Sequence, residues 1–228
     1  MSDSLLLPNG RVVRYTFRER LMHWLAGFSY LYLLLSGLAF WSPWLFWLTV
    51  LLGGPTIARE LHPWFGLIFT AAVIWMFGVW GSQMHLTDRD REWFRSIRHY
   101  VRNEDDQVPD EDRFNGGQKA LYWGFLVCGI VLLLTGLVLW VPHWIPWSLS
   151  FLRLISVIVH PIAALLTIAL FMIHVYMGTA VERGAFSSMI RGDVSRRWAE
   201  RFHRVWYERI VGESTTRDSA ARDSAAKE

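Results

Sequence analysis

Residues 157–178 read VIVHPIAALLTIALFMIHVYMG, a run apolar enough to lie in lipid that still carries two titratable rings, His160 and His174. The run covers the roughly 20 residues that an α-helix needs to cross hydrocarbon. Ionisable side chains inside such a span are costly and mark functional paths. A separation of 14 residues corresponds to a rise of about 21 Å and returns the second ring to within about 40° of the face of the first. Both rings therefore face one side of a single helix, near its two ends.

The rest of the chain has the same character. Of its 228 residues 53% are hydrophobic and 14 are tryptophan, and the mean hydropathy is +0.23. Such values belong to membrane proteins. Apolar blocks at 22–47, 62–83, 118–141 and 152–180 predict four transmembrane helices. None shows the short apolar/polar alternation of barrel strands. The predicted fold class is all-α: an integral membrane four-helix bundle, forming one membrane domain over residues 1–211. The small polar stretch 212–228, rich in Ser, Ala, Asp and Arg, is expected to be disordered. The first block follows Arg11, Arg14, Arg18 and Arg20 but exceeds a signal-peptide core and lacks a small-residue cleavage site, so it reads as a retained helix.

Arginine sets the expected orientation. The N-terminal arm, the segment from Arg89 to Arg113 and the region from Arg191 to Arg209 are arginine-rich, whereas 48–61 holds only Arg59 and 142–151 holds no Lys or Arg. By the positive-inside rule both termini are cytoplasmic in a bacterial inner-membrane, multi-pass protein. Trp41, Trp44, Trp47, Trp140, Trp144 and Trp147 then fall at the outer interface as anchors. A pI near 9.2 fits arginines beside anionic lipid headgroups, and no nucleic-acid partner is expected. After the fourth helix, RGDVSRRWAERFHRVWYERI sets aromatic residues among arginines at near-helical spacing, predicting a cytoplasmic amphipathic segment.

Four histidines sort by depth. His62 and His160 open the second and fourth helices at the outer side; His23 and His174 lie toward the inner side. Two stacked bis-histidine sites follow, His62 with His160 and His23 with His174. Zinc takes three or four donors, and neither pair has a carboxylate or thiolate beside it. Haem iron takes two axial ligands from the protein. The lone Cys128 and the lack of a C-x-x-C-H sequence exclude covalent attachment, so the predicted cofactors are two haem b groups. Gly27, Gly66 and Gly178 each follow a candidate ligand by one turn, where a small residue admits a macrocycle edge or a neighbouring helix. No catalytic triad, P-loop or dinucleotide fingerprint is present, so an electron-transfer subunit is expected.

The motifs ELHPWFG, FNGGQKALYW, VIVHP, MIHVYMG and IRGDVSRRWAERFHRVWY together resemble the cytochrome b (gamma) subunit of bacterial respiratory formate dehydrogenase, over about residues 10–210. The resemblance implies the same haem pairing. It also implies a quinone site, for menaquinone, formed by Asn115, Gly117 and Gln118; read alone, FNGGQK is a helix-entry turn. Implied partners are a catalytic (alpha) formate dehydrogenase subunit and an iron–sulfur (beta) subunit on the outer face, with electrons passing to quinone near the cytoplasm. The alternative is the b-type cytochrome of a hydrogenase or another quinone-linked periplasmic oxidoreductase.

Overall fold

The computed structural model describes residues 5–7, 9–102 and 104–225. The helices are α1 (Phe17–Trp41), α2 (Leu48–Leu51), α3 (Pro55–Trp80), α4 (Asp88–Arg95), α5 (Ile97–Val101), α6 (Gly116–Trp140), α7 (Phe151–Tyr176), α8 (Ala185–Arg191), α9 (Arg196–Phe202) and α10 (Arg204–Ala225), with two short strands, β1 (Arg11–Val13) and β2 (Asp193–Ser195). Four helical segments, Phe17–Trp41, Pro55–Gln83, Gly116–Trp140 and Phe151–Val181, are long and apolar enough to cross a membrane. The protein is an all-α membrane helical bundle. Its helices start earlier than the apolar blocks do, because capped polar residues extend them: Thr16 and Glu19 close the start of α1 on each other, and Pro55 supplies the preset backbone of a first turn at α3.

The chain divides into two compact units. One consists of Leu21–Ser82 and Ala120–His174, and so holds most of the four long helices. Its large apolar side chains point outward: Phe28, Ile74, Leu134 and Leu154 are each at least 60% exposed. In water such a surface would aggregate; in hydrocarbon it costs nothing. Inside, Tyr30 packs against Phe69, Phe125 and Phe171 and donates its hydroxyl to Thr167 at 3.3 Å, joining all four helices. Tyr32 stacks on Phe65 at 4.0 Å between ring centres. Pro63 and Pro161 lie within α3 and α7. Each removes the backbone hydrogen bond to the carbonyl four residues earlier.

The other unit consists of Met1–Arg20, Gln83–Lys119 and Val175–Glu228. Here β1 and β2 pair antiparallel, with Val12 opposite Val194, and these valines pack with Ala199, Trp206 and Ile210. Thr87 and Asp90 form a capping box on α4. Asp90 also accepts a 2.7 Å ion pair from Lys119. The stretch after α7 makes a π-helical turn, Met177–Val181, that leads directly into a buried Glu182. The amphipathic segment foreseen after the fourth helix is helical as α9 and α10. The polar stretch expected to lack order continues α10 as far as Ala225; residues 226–228 lie outside the described residues. Its alanines favour helix, and helix already formed to its N-terminal side spares it the cost of nucleation.

Gly192 ties this unit together, since its carbonyl accepts from both Arg14 and Tyr15 backbone N–H groups, at 2.8 and 2.9 Å. Its φ is +95°, and an added Cβ would stand 2.8 Å from the Tyr15 carbonyl oxygen. Gly192→Ala is expected to destabilise the protein by about 1–3 kcal/mol, measured as a lowered thermal midpoint in detergent.

Candidate haem-binding site

The four histidines singled out in the sequence come together in two pairs, all within the long-helix unit. The His62 and His160 rings, from α3 and α7, have centres 6.4 Å apart. The His23 and His174 rings, from α1 and α7, have centres 5.9 Å apart. Two imidazoles bonded to one ion through nitrogen bonds of about 2 Å hold their ring centres roughly 6 Å apart. Both pairs have this separation. Among the described residues no group of three or more His, Cys, Asp or Glu side chains is arranged to hold a metal ion, so a metal held by these pairs must bring its remaining ligands with it, as porphyrin does.

Two hydroxyls that the sequence reading passed over set the orientation of the first pair. Ser36 Oγ lies 2.7 Å from His62 Nδ1, and the same oxygen donates to the Tyr32 carbonyl at 2.7 Å. Its one hydrogen being committed there, it accepts from the imidazole, so Nδ1 carries the proton. Thr135 repeats the arrangement: its Oγ1 donates to the Val131 carbonyl at 2.6 Å and lies 2.9 Å from His160 Nδ1. Each ring thus keeps an unprotonated Nε2, the form that ligates metal. The glycine after Thr135 helps the His160 ring approach: a Cβ on Gly136 would lie 3.2 Å from His160 Cε1, whereas one on Gly37 would lie 3.8 Å from His62 Cε1, an ordinary contact.

The second pair is held differently. His23 packs edge-on against Trp24 and His174 edge-on against Phe125. His23 Nδ1 is buried without a hydrogen-bond partner. A buried orphan nitrogen carries a desolvation cost, and a bound group that met it would remove that cost. An added Cβ at Gly66 would meet nothing within 4 Å, leaving room along α3 for a broad planar group. The donor sets therefore fit two bis-imidazole haems.

Asn115, Gly117 and Gln118 lie at the start of α6, in the other unit. Asn115 Oδ1 accepts from the Gln118 backbone N–H at 2.9 Å, and Gln118 Oε1 accepts from the Asn115 N–H at 3.3 Å, a reciprocal cap. Asn115 is buried and its amide donates to Tyr100 Oη at 3.3 Å. Gly117 has the Trp93 ring against its backbone, 2.6 Å from where a Cβ would stand. Gln118 is half-buried, and its Nε2 donates to Glu182 at 3.1 Å. The helix-entry reading of this motif thus holds in the structure.

A family model described as prokaryotic cytochrome b561 matches residues 14–192. The chain belongs to this cytochrome b561 family. All four paired histidines fall inside the matched region. Among curated proteins, this cytochrome is 34% identical over 200 residues to the formate dehydrogenase cytochrome b556(fdo) subunit of Escherichia coli strain K12, covering 87% of this chain and 93% of that one. It is 33% identical over 199 residues to the nitrate-inducible cytochrome b556(Fdn) subunit of the same organism, covering 87% and 91%. It is 29% identical over 212 residues to the formate dehydrogenase cytochrome b556 subunit of Haemophilus influenzae, covering 92% and 88%. The likeness thus runs through nearly the whole cytochrome and not through its histidine motifs alone.

Removing the orienting hydroxyls should loosen the first site without dismantling it. Ser36→Ala and Thr135→Val are each expected to weaken haem retention about 10–100-fold, read as haem lost from purified protein to a haem-scavenging partner, while His23 and His174 keep theirs.

Proposed function

We propose that this cytochrome is the di-haem b membrane subunit of a formate dehydrogenase complex in the bacterial inner membrane. The observation that carries the reading is the pair of facing imidazoles at each of two levels, with α7 contributing one ring to each. When bound, the two haems supply one-electron carriers whose potentials depend on ligation and surroundings. The chain holds them by His62 with His160 and His23 with His174, and excludes water by the apolar sheath around the bundle.

Arginine-rich ends support a cytoplasmic position for both termini, and with it a position toward the outer face for the His62–His160 pair. Formate is oxidised in a separate catalytic subunit, and an iron–sulfur subunit docks at the outer face; the similar proteins' names support membership of a formate dehydrogenase complex. Electrons leave the complex by reducing quinone, expected to be menaquinone, near the cytoplasmic face. Gln118 offers an amide to a quinone carbonyl there, while Asn115 and Gly117 shape the helix entry around it. Negative charge moving inward and protons taken up from the cytoplasm both add to the membrane potential.

Reduced-minus-oxidised spectra with a pyridine haem count test the core of this reading. The parent is expected to hold two b haems, and His62→Ala and His174→Ala one each. A folded parent without haem would overturn it. Copurification of a formate-oxidising subunit, as against a hydrogenase, decides the donor.

A further inference from the structure

In the acidic stretch from Glu104 to Asp112, Glu111 is buried, with 7% of its surface exposed. It enters a cluster of ionisable side chains within the unit that contains both chain ends: Arg14, Tyr100, Glu182 and His203 are 1%, 6%, 3% and 0% exposed. Burying so many charges is expensive unless they share protons and hydrogen bonds. The hydrogen bonds here form a chain. Trp93 Nε1 donates to Glu111 Oε1 at 2.7 Å, and the Asn115 amide lies alongside and donates to Tyr100 Oη. Tyr100 Oη donates to Glu182 Oε2 at 3.3 Å, and Glu182 Oε2 accepts from Gln118. His203 Nδ1 stands 3.8 Å from the second oxygen of Glu111, an ion-pair distance just beyond hydrogen-bond reach.

At His203 one proton has two places to be. Nδ1 lies 2.6 Å from the Asp112 carbonyl, a pure acceptor, so it carries a hydrogen. Nε2 lies 3.0 Å from both Arg14 and Glu182 Oε1. A neutral ring accepts there from Arg14; a charged ring donates to Glu182 instead. Arg14 tolerates either arrangement, because its guanidinium rests against aromatic rings, among them Trp206 at 4.9 Å and Tyr15 at 5.2 Å, while its Nε and Nη1 have no hydrogen-bond partner.

The entrance to the cluster is a cavity of about 60 Å³, room for water, with exposed Thr87 and Arg89 at its rim and Glu111 and Asn115 in its wall. Burial, reinforced by Glu182, pushes the Glu111 carboxyl up to about 8. Burial also disfavours ionised Glu182, yet the hydrogen bond from His203 and the charge of Arg14 outweigh it and hold that carboxyl below its ordinary value. Near neutral pH the cluster thus contains a protonated carboxyl near an ionised one, with the Tyr100 hydroxyl and the His203 imidazole bonded to the ionised one.

We propose that Glu111, Tyr100, Glu182 and His203 form a buried proton relay that takes protons from the cavity and delivers them to quinone beside Gln118. The proposal rests on the quinone-reducing reading above. Reducing one quinone consumes two electrons, which originate from formate, and two protons. Each proton leaves an O–H or N–H bond of the relay as a new O–H bond forms on the reduced quinone, and water in the cavity restores it through Glu111.

The test uses the complex purified with its formate-oxidising partners, a water-soluble naphthoquinone as acceptor, and pH 6–9. The parent rate is expected to fall as pH rises through about 8, where Glu111 loses its proton. Glu111→Gln is expected to slow quinone reduction at least tenfold and flatten that fall, while formate still reduces the haems fully. An infrared carboxyl band that titrates near 8 in the parent should be missing from the variant. If Glu111→Gln loses haem, Tyr100→Phe decides, since it keeps the ring on Trp93 and removes the bridging hydroxyl; at least a fivefold loss with normal haem content is expected. Variant rates within twofold of the parent, with the same pH profile, would overturn the relay and leave the quinone reading standing. A parent whose haems are reduced by formate but that never reduces quinone would overturn both.

Discussion

An imidazole inside hydrocarbon must settle two nitrogens, and everything in the long-helix unit follows from how that demand is met. At His62 and His160 a hydroxyl whose own hydrogen is committed to backbone takes the Nδ1 proton, which leaves Nε2 with a lone pair and no protein donor to fill it. The bundle has to be assembled before this happens, since each hydroxyl and each ring come from different helices. Ser36 serves α3 from α1, and Thr135 serves α7 from α6. The same contacts that orient the rings therefore fix the pairing of the helices. At the second of these contacts Gly136 eases the approach of the ring.

The unit with the chain ends solves a related problem by other means. Its buried charges are matched to one another and to aromatic faces: Arg113 with Glu19 at 2.7 Å, Lys119 with Asp90, and Arg14 against rings. Replacing such groups by apolar ones of the same shape would often cost little stability. Their retention in a small packed core points to a use for their charge and protons, and the start of α6 brings Asn115 and Gln118 to that core.

Much of this was legible in the sequence, for a physical reason. Four apolar runs of membrane length have one structural solution each, and the rise of a helix turns residue numbers into depths, so the histidine pairs could be drawn before any coordinates. The hydroxyl partners could not, because Ser36 and Thr135 act across helices, and the rotation of one helix against another is not written in either. The same limit hid Glu111: among the six acidic residues of its stretch nothing local distinguishes it, and its burial depends on His203 and Glu182 about 70 to 90 residues away. The quinone motif shows the reverse case, since its amides and glycine have a full local explanation in capping α6 and in admitting Trp93.

His160 and His174 share one helix without a break, and this makes α7 a ruler. The interval between the two levels is set by covalent geometry and by the hydrogen-bonded rise, about 1.5 Å per residue. No loop movement can alter it. Loops elsewhere can lengthen or shorten through evolution, but one residue gained or lost between 160 and 174 would swing one ring by about 100° relative to the other, and its partner on α1 or α3 would face the wrong side chain. Among homologous chains, the segment joining these two histidines should therefore accept changes of residue and refuse changes of length.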